Sequence, residues 1–132
     1  MAIGVIFKIV KATFFVLGEK VEAYSEIIEQ MQKEGHIIGN HTYTHIQLRS
    51  GNREMFREEL NMFPMLWNVD PNDWCIGNAD KVTRAIVDKA KENSTILLHD
   101  CYQSSVDAAL ASIDMLTEMG YEFVTVEEIL FE

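Results

Sequence analysis

Short apolar runs alternate with amphipathic helical stretches along this chain, and that alternation restricts the fold more than any other feature. Ile3–Phe7 is a short apolar run read as a strand. Ala12–Leu17 is a stronger one, rich in aromatic and β-branched residues and closed by Gly18. From Val21 to Lys33, Val21, Tyr24, Ile27, Ile28 and Met31 recur at helical spacing, and Gly35 supplies a stop. Ile37–Gly39 is the next strand. Asn52–Asn61 reads as a helix capped by Asn52, and Pro64 breaks the pattern before a strand over Met65–Val69. A helix over Asn78–Glu92, a buried strand over Thr95–Leu98, a helix over Ser104–Met119 and a strand over Glu122–Val126 follow. A short acidic helix from Glu127 ends the chain. The expectation is one α/β domain over residues 1–132 with about six mostly parallel strands. A closed eight-stranded α/β barrel needs roughly 250 residues, so an incomplete or distorted (β/α) barrel is the better fit.

Length, charge and cysteine content narrow the function. A chain of 132 residues suits one domain. The net charge of −10 repels phosphate backbones and anionic lipid, which argues against nucleic-acid and membrane partners. It favours a neutral or cationic ligand. Cys75 and Cys101 are too few for a disulfide framework and read as buried thiols. Lys8, Lys11 and Glu19 interrupt the apolar start, which resembles neither a signal peptide nor a membrane span; as it stands the chain reads as cytoplasmic.

In parallel α/β structures ligands bind beyond the C-terminal ends of the strands. Three polar groups fall at such ends: His41 with His45, the loop Asp70–Trp74, and His99 with Asp100. If the strands are parallel, the three converge on one rim. His41 and His45 lie four residues apart, so a helical turn would aim both imidazoles at one metal ion. The plainer reading is a polar loop in which each ring bonds to backbone. His99, directly after Ile96-Leu97-Leu98, is either a satisfied core group or a general acid held by a carboxylate, with Asp73 and Asp100 as candidate partners. Trp74 is either core or ligand-lining. Trp67 reads as core and His36 as solvated surface.

The stretch Lys11-Ala12-Thr13-Phe14-Phe15-Val16-Leu17-Gly18, followed by a helix and then by Gly35 to His45, resembles the polysaccharide deacetylase family, carbohydrate esterase family four. Leu66 to Trp74, Thr95 to Asp100 and Gly120 to Val126 resemble further motifs of that family, in the same order. The resemblance implies a distorted α/β barrel and metal-dependent removal of acetyl groups from N-acetylated carbohydrate. It implies that His41 and His45 are metal ligands, for zinc or another divalent ion, and that His99 is the catalytic acid tuned by Asp73. Trp74 and Leu97 map to the substrate-binding walls of the acetyl pocket.

Two family features have no counterpart. The family's first strand ends in Thr-Phe-Asp-Asp-Gly-Pro, whose aspartates are the base and the third metal ligand; here Lys8 follows Phe7 and the chain contains no Asp-Asp pair. The Arg-Pro-Pro-Tyr motif that orients the base is also missing, and Arg49, Arg53 and Arg57 do not match it. A catalytic zinc site normally takes three protein ligands, so a metal on two imidazoles is expected to be weakly held or absent. Loss of a general base lowers the expected rate ~100- to 10,000-fold. Missing strands expose sheet edges, which points to a homo-oligomer. The competing readings are a non-catalytic carbohydrate-binding or oligomeric interaction domain, and an internally deleted form of a longer enzyme.

Overall fold

The structure is a computed structural model that describes residues 10–45 and 65–131. The strand expected at 3–7, the helix at 52–61 and the three arginines lie outside the described residues. The chain divides into two compact units, one containing residues 10–64 and 124–132, the other residues 65–123.

In the first unit, β1 (Thr13–Val16) and β2 (Ile37–Asn40) pair in parallel, with Thr13 opposite Ile37 and Val16 opposite Asn40. The ladder extends one residue at each end: Ile37 N–H donates to Ala12 at 3.0 Å, and His41 N–H donates to Val16 at 2.9 Å. Gly39 sits opposite Phe15, and a Cβ there would lie 2.6 Å from the ring, so the pairing needs glycine at this position. The helix expected from Val21 is two helices, α1 (Gly18–Val21) and α2 (Ser25–Lys33), separated by a turn. Ile27, Ile28 and Met31 are half-buried, whereas Val21 and Tyr24 are exposed. Gly35 at φ +83° ends α2: His36 N–H donates to Met31 and Gly35 N–H to Gln32, satisfying two of the helix's last carbonyls.

His36 departs from its expected role as solvated surface. Its ring is mostly buried, its Nδ1 accepts the Ala12 N–H at 3.2 Å, and it stands edge-on to Phe14 at 5.2 Å. It serves the entry to β1 as a structural acceptor. The expected strand over Glu122–Val126 is absent: residues 121–125 are irregular, and Val126 begins a helix (Val126–Phe131). The reason is a capping box. Thr125 Oγ1 accepts the Glu128 N–H, and the Glu128 carboxylate accepts from both the backbone and the hydroxyl of Thr125.

The second unit is built on two helices. With the short helix Asp73–Ile76 as α3, these are α4 (Ala79–Lys89) and α5 (Gln103–Glu118), and the C-terminal helix is α6. Asn78 caps α4 by accepting the Lys81 N–H at 2.9 Å. Val82 and Ile86 of α4 pack with Ala108 and Leu116 of α5 to form the buried core. The buried face of α5 also carries Ser105 and Ser112, a small-residue stripe at three- and four-residue spacing that lets the helices approach.

The strands expected over 65–69 and 95–98 shrink to one parallel bridge between Val69 and Ile96. Asn68 Oδ1 accepts the Thr95 N–H at 3.0 Å, and Leu97 N–H donates to Val69 at 3.0 Å. Trp67 therefore lies outside the ladder and is 48% exposed rather than core. Mixed α/β character is plain, but the described residues contain only two regular strands. No helix among them is long and apolar enough to cross a membrane.

Candidate functional site

The Val69–Ile96 bridge delivers two loops, and each contributes one member of a hydrogen-bonded pair. After Val69, the Asp70 carboxylate accepts the Asn72 N–H at 2.8 Å, folding the chain into a tight turn. Asn72 takes the left-handed conformation at φ +55°, and α3 starts at Asp73. After Ile96, the chain runs through Leu98 into His99. The Asp73 carboxyl grips His99 at two points: Oδ1 meets the ring Nδ1 at 2.9 Å, and Oδ2 accepts the backbone N–H at 2.7 Å.

The Asp73 side chain is fully buried, while the His99 side chain is one-third exposed. Burial pushes the Asp73 carboxyl up. The Ser105 hydroxyl, the two bonds from His99 and the charge on His99 outweigh it, so the carboxyl lies below the usual carboxylate range. It is therefore ionised at neutral pH and can only accept. Nδ1 of His99 must carry the proton, which leaves Nε2 as the ring nitrogen that exchanges protons with a ligand. Asp100, the alternative partner, is exposed and next in sequence.

The histidine loop belongs to the other unit. It is not helical, contrary to the simplest reading of the four-residue spacing. Thr42 at φ +68° and His45 at φ +61° are both left-handed, a costly state for a β-branched residue. The loop is held from outside: Thr42 accepts the Gly18 N–H at 2.9 Å, Tyr43 accepts the Glu19 N–H at 3.1 Å, and Asn40 Oδ1 accepts the Thr42 N–H at 2.8 Å. Gly18 is required because a Cβ there would lie 2.6 Å from the Tyr43 ring and 3.2 Å from its Cα. The result brings the rings of His41 and His45 edge to face, with centroids 4.7 Å apart.

That spacing suits two ligands of one ion, since imidazoles on zinc bonds near 2 Å at a tetrahedral angle put their ring centres roughly 5 Å apart. The set is nevertheless incomplete. Among the described residues, no group of three or more His, Cys, Asp or Glu side chains could hold a metal. Two donors fit and a third is lacking among the described residues.

Of the remaining candidates, Trp74 is 55% exposed beside Asp73, and Leu97 is half-buried one residue before Leu98. Cys75 and Cys101 are free and exposed, correcting the expectation of buried thiols; Cys75 lies on the one-turn helix α3 and Cys101 in the loop after His99, where neither is covered. Ser105 carries no sequence signal of a place in the site. A serine in the first turn of a helix reads as a capping residue, and only the folded structure reveals that it helps lower the Asp73 carboxyl.

The polysaccharide deacetylase sequence pattern matches residues 8–64. The peptidoglycan-N-acetylmuramic acid deacetylase PdaC of Bacillus subtilis is 34% identical, covering 89% of this chain and 32% of its own length. A peptidoglycan-N-acetylglucosamine deacetylase of Bacillus cereus is 31% identical over 91% of this chain and 75% of its own length. The solved structure of B. subtilis PdaC superposes with a TM-score of 0.80 at 34% identity, over 89% of this chain and 75% of that one. The PdaC alignment runs over 151 positions, more than the 132 residues of this chain, so the relative carries segments with no counterpart here. The chain spans about a third of the length of the first curated relatives it matches. The matches run through both units of the chain, and this protein belongs to the polysaccharide deacetylase family.

Proposed function

We propose that this chain is a deacetylase-type hydrolase of N-acetyl groups on carbohydrate, with turnover strongly reduced for want of a general base. The observation that carries the reading is the Asp73–His99 pair, a buried carboxylate clasping a part-exposed imidazole. Breaking an amide C–N bond requires a proton on the departing nitrogen, because an amide anion is too poor a leaving group. Nε2 of His99 is the atom to supply it. The Asp73 carboxylate fixes the tautomer by holding Nδ1–H and stabilises the imidazolium before the proton is given up.

Trp74 and Leu97 are the side chains assigned to the acetyl pocket. His41 and His45 are assigned to a divalent ion, zinc by ligand type, held weakly by two imidazoles. The printed names of the relatives point to an N-acetylated glycan as substrate. The product would be an amino sugar, cationic at neutral pH, which suits a chain of net charge −10. The fold is assigned to an incomplete or distorted (β/α) barrel, a reading supported by the superposition over 89% of the chain. The family's strand motifs that have no counterpart in this sequence favour a homo-oligomer.

The test is acetate release from N-acetylglucosamine oligomers and from peptidoglycan, with zinc or cobalt added. Slow release that disappears in His99→Ala supports the proposal. Robust turnover, or slow turnover indifferent to His99, contradicts it. Light scattering at micromolar concentration tests the oligomer, and a monomeric mass counts against it.

A further inference from the structure

We infer that His36 is an acid-released catch on the entry to β1: the neutral ring accepts the Ala12 N–H, and a ring that takes a second proton drops that bond and pairs with the Glu34 carboxylate instead. The inference does not depend on the hydrolase reading and concerns a ring outside the Asp73–His99 pair. The His36 side chain is 12% exposed, and its Nδ1 accepts the Ala12 N–H at 3.2 Å. The edge contact with Phe14, centroids 5.2 Å apart, packs the ring against β1. Nε2 lies 3.7 Å from the Glu34 carboxylate. One ring therefore faces a donor through one nitrogen and an anion through the other.

A ring nitrogen that accepts a hydrogen bond carries no proton, so the neutral ring holds its proton on Nε2, towards Glu34. The imidazolium carries N–H on both nitrogens and accepts at neither, so turning the ring over cannot restore the bond to Ala12. What the charged ring keeps is Glu34, an anion beside its Nε2–H. Two further charged groups stand next to this pair: Lys11, whose ammonium bonds to the Glu34 carbonyl, and Glu128 of α6, which feels the charge on Lys11. Phe14 brings no charge. Both backbone groups of Ala12 are held by consecutive residues of the partner segment, its N–H by His36 and its carbonyl by the Ile37 N–H at 3.0 Å. The ladder that starts there ends with the His41 N–H on Val16 and leads into the histidine loop. Because the ring exchanges one partner for another, the change is local and is read at Ala12 rather than in global unfolding.

The experiment is a 15N NMR pH titration of the full chain. It follows the His36 ring nitrogens and the protection factor of the Ala12 amide, taken against the unstructured exchange rate at each pH. The Ala12 protection factor is expected to fall roughly ten-fold as pH is lowered, the scale of one hydrogen bond, with the same midpoint as the His36 ring. Glu34→Gln removes the anion and should move both midpoints down together. His36→Asn offers an amide oxygen in place of Nδ1 and does not titrate, so Ala12 should stay protected across the range. An Ala12 amide that stays protected through the His36 titration overturns the inference, as does one that loses protection at the same midpoint in His36→Asn. If His36→Asn does not fold, Glu34→Gln decides: a ring midpoint that does not move, or that moves without Ala12, also overturns it.

Discussion

The two histidine pairs of this chain are built to different standards. Asp73 and His99 are joined by two hydrogen bonds at 2.7 and 2.9 Å, with the carboxyl buried and held ionised. His41 and His45 are both exposed and touch edge to face on a loop bent through two left-handed residues. A proton donor is complete once its tautomer is fixed, and the second unit fixes it with its own residues. A metal centre is complete only with its third ligand, which no described residue supplies. The lesson is that the Asp73–His99 pair is complete with residues of one unit, whereas His41 and His45 find no third metal-type partner among the described residues.

Breaking the acid half should have the largest effect. His99→Ala is expected to reduce any measurable acetate release ~100- to 10,000-fold, the usual contribution of a general acid. The same substitution at His41 or His45 should abolish the response to added metal without removing the acid, so rates measured with and without zinc separate the two. Equal losses without metal would erase the distinction.

Stability should sharpen the contrast. Asp73→Ala leaves a buried site without its carboxyl and His99 without its clasp, and is expected to cost about 2–4 kcal/mol in denaturant unfolding. His45→Ala, at an exposed position, should change stability by less than about 0.5 kcal/mol, or raise it by relieving the left-handed backbone if glycine is used instead. Gly18→Ala falls between them. Its Cβ would displace Tyr43, and a destabilisation of about 1–3 kcal/mol is expected. NMR should then show the His41 and His45 rings moved apart.

The pH dependence is smaller and follows from Asp73. Its folded-state pKa is lowered, so the ionised carboxylate contributes stability that is fully present above the unfolded value. That stability is lost as pH falls from about 4, the ordinary aspartate value, through the lower folded value. Unfolding midpoints measured from pH 7 downwards should be level and then drop in this acid window, and Asp73→Asn should flatten the drop.

Local periodicity made the helices legible. Val82, Ile86 and Ala90 at helical spacing placed α4 to within a few residues, and Thr13–Val16 announced itself through aromatic and β-branched content. The strands over 65–69, 95–98 and 122–126 were over-read because an apolar run forms a strand only with a partner: Val69 and Ile96 find one bridge, and Thr125 is taken by a helix cap instead. The family motifs singled out His41, His45, Asp73 and His99 by order and spacing. They could not show that Thr42 is left-handed, since the carbonyl contacts that hold it come from Gly18 and Glu19, more than twenty residues away. Nor could they reveal His36 as an acceptor for Ala12 or Ser105 as a group that helps lower the Asp73 carboxyl, because both are products of tertiary packing.

Imidazole 15N NMR during a zinc titration tests the central contrast most directly. Before any zinc is added, His99 should already show a single tautomer with its proton on Nδ1. On addition, the signals of His41 and His45 should move together, with zinc held weakly enough to be lost on gel filtration. Tight stoichiometric zinc with a third ligand, or a His99 ring that exchanges tautomers freely in the metal-free protein, would contradict the account.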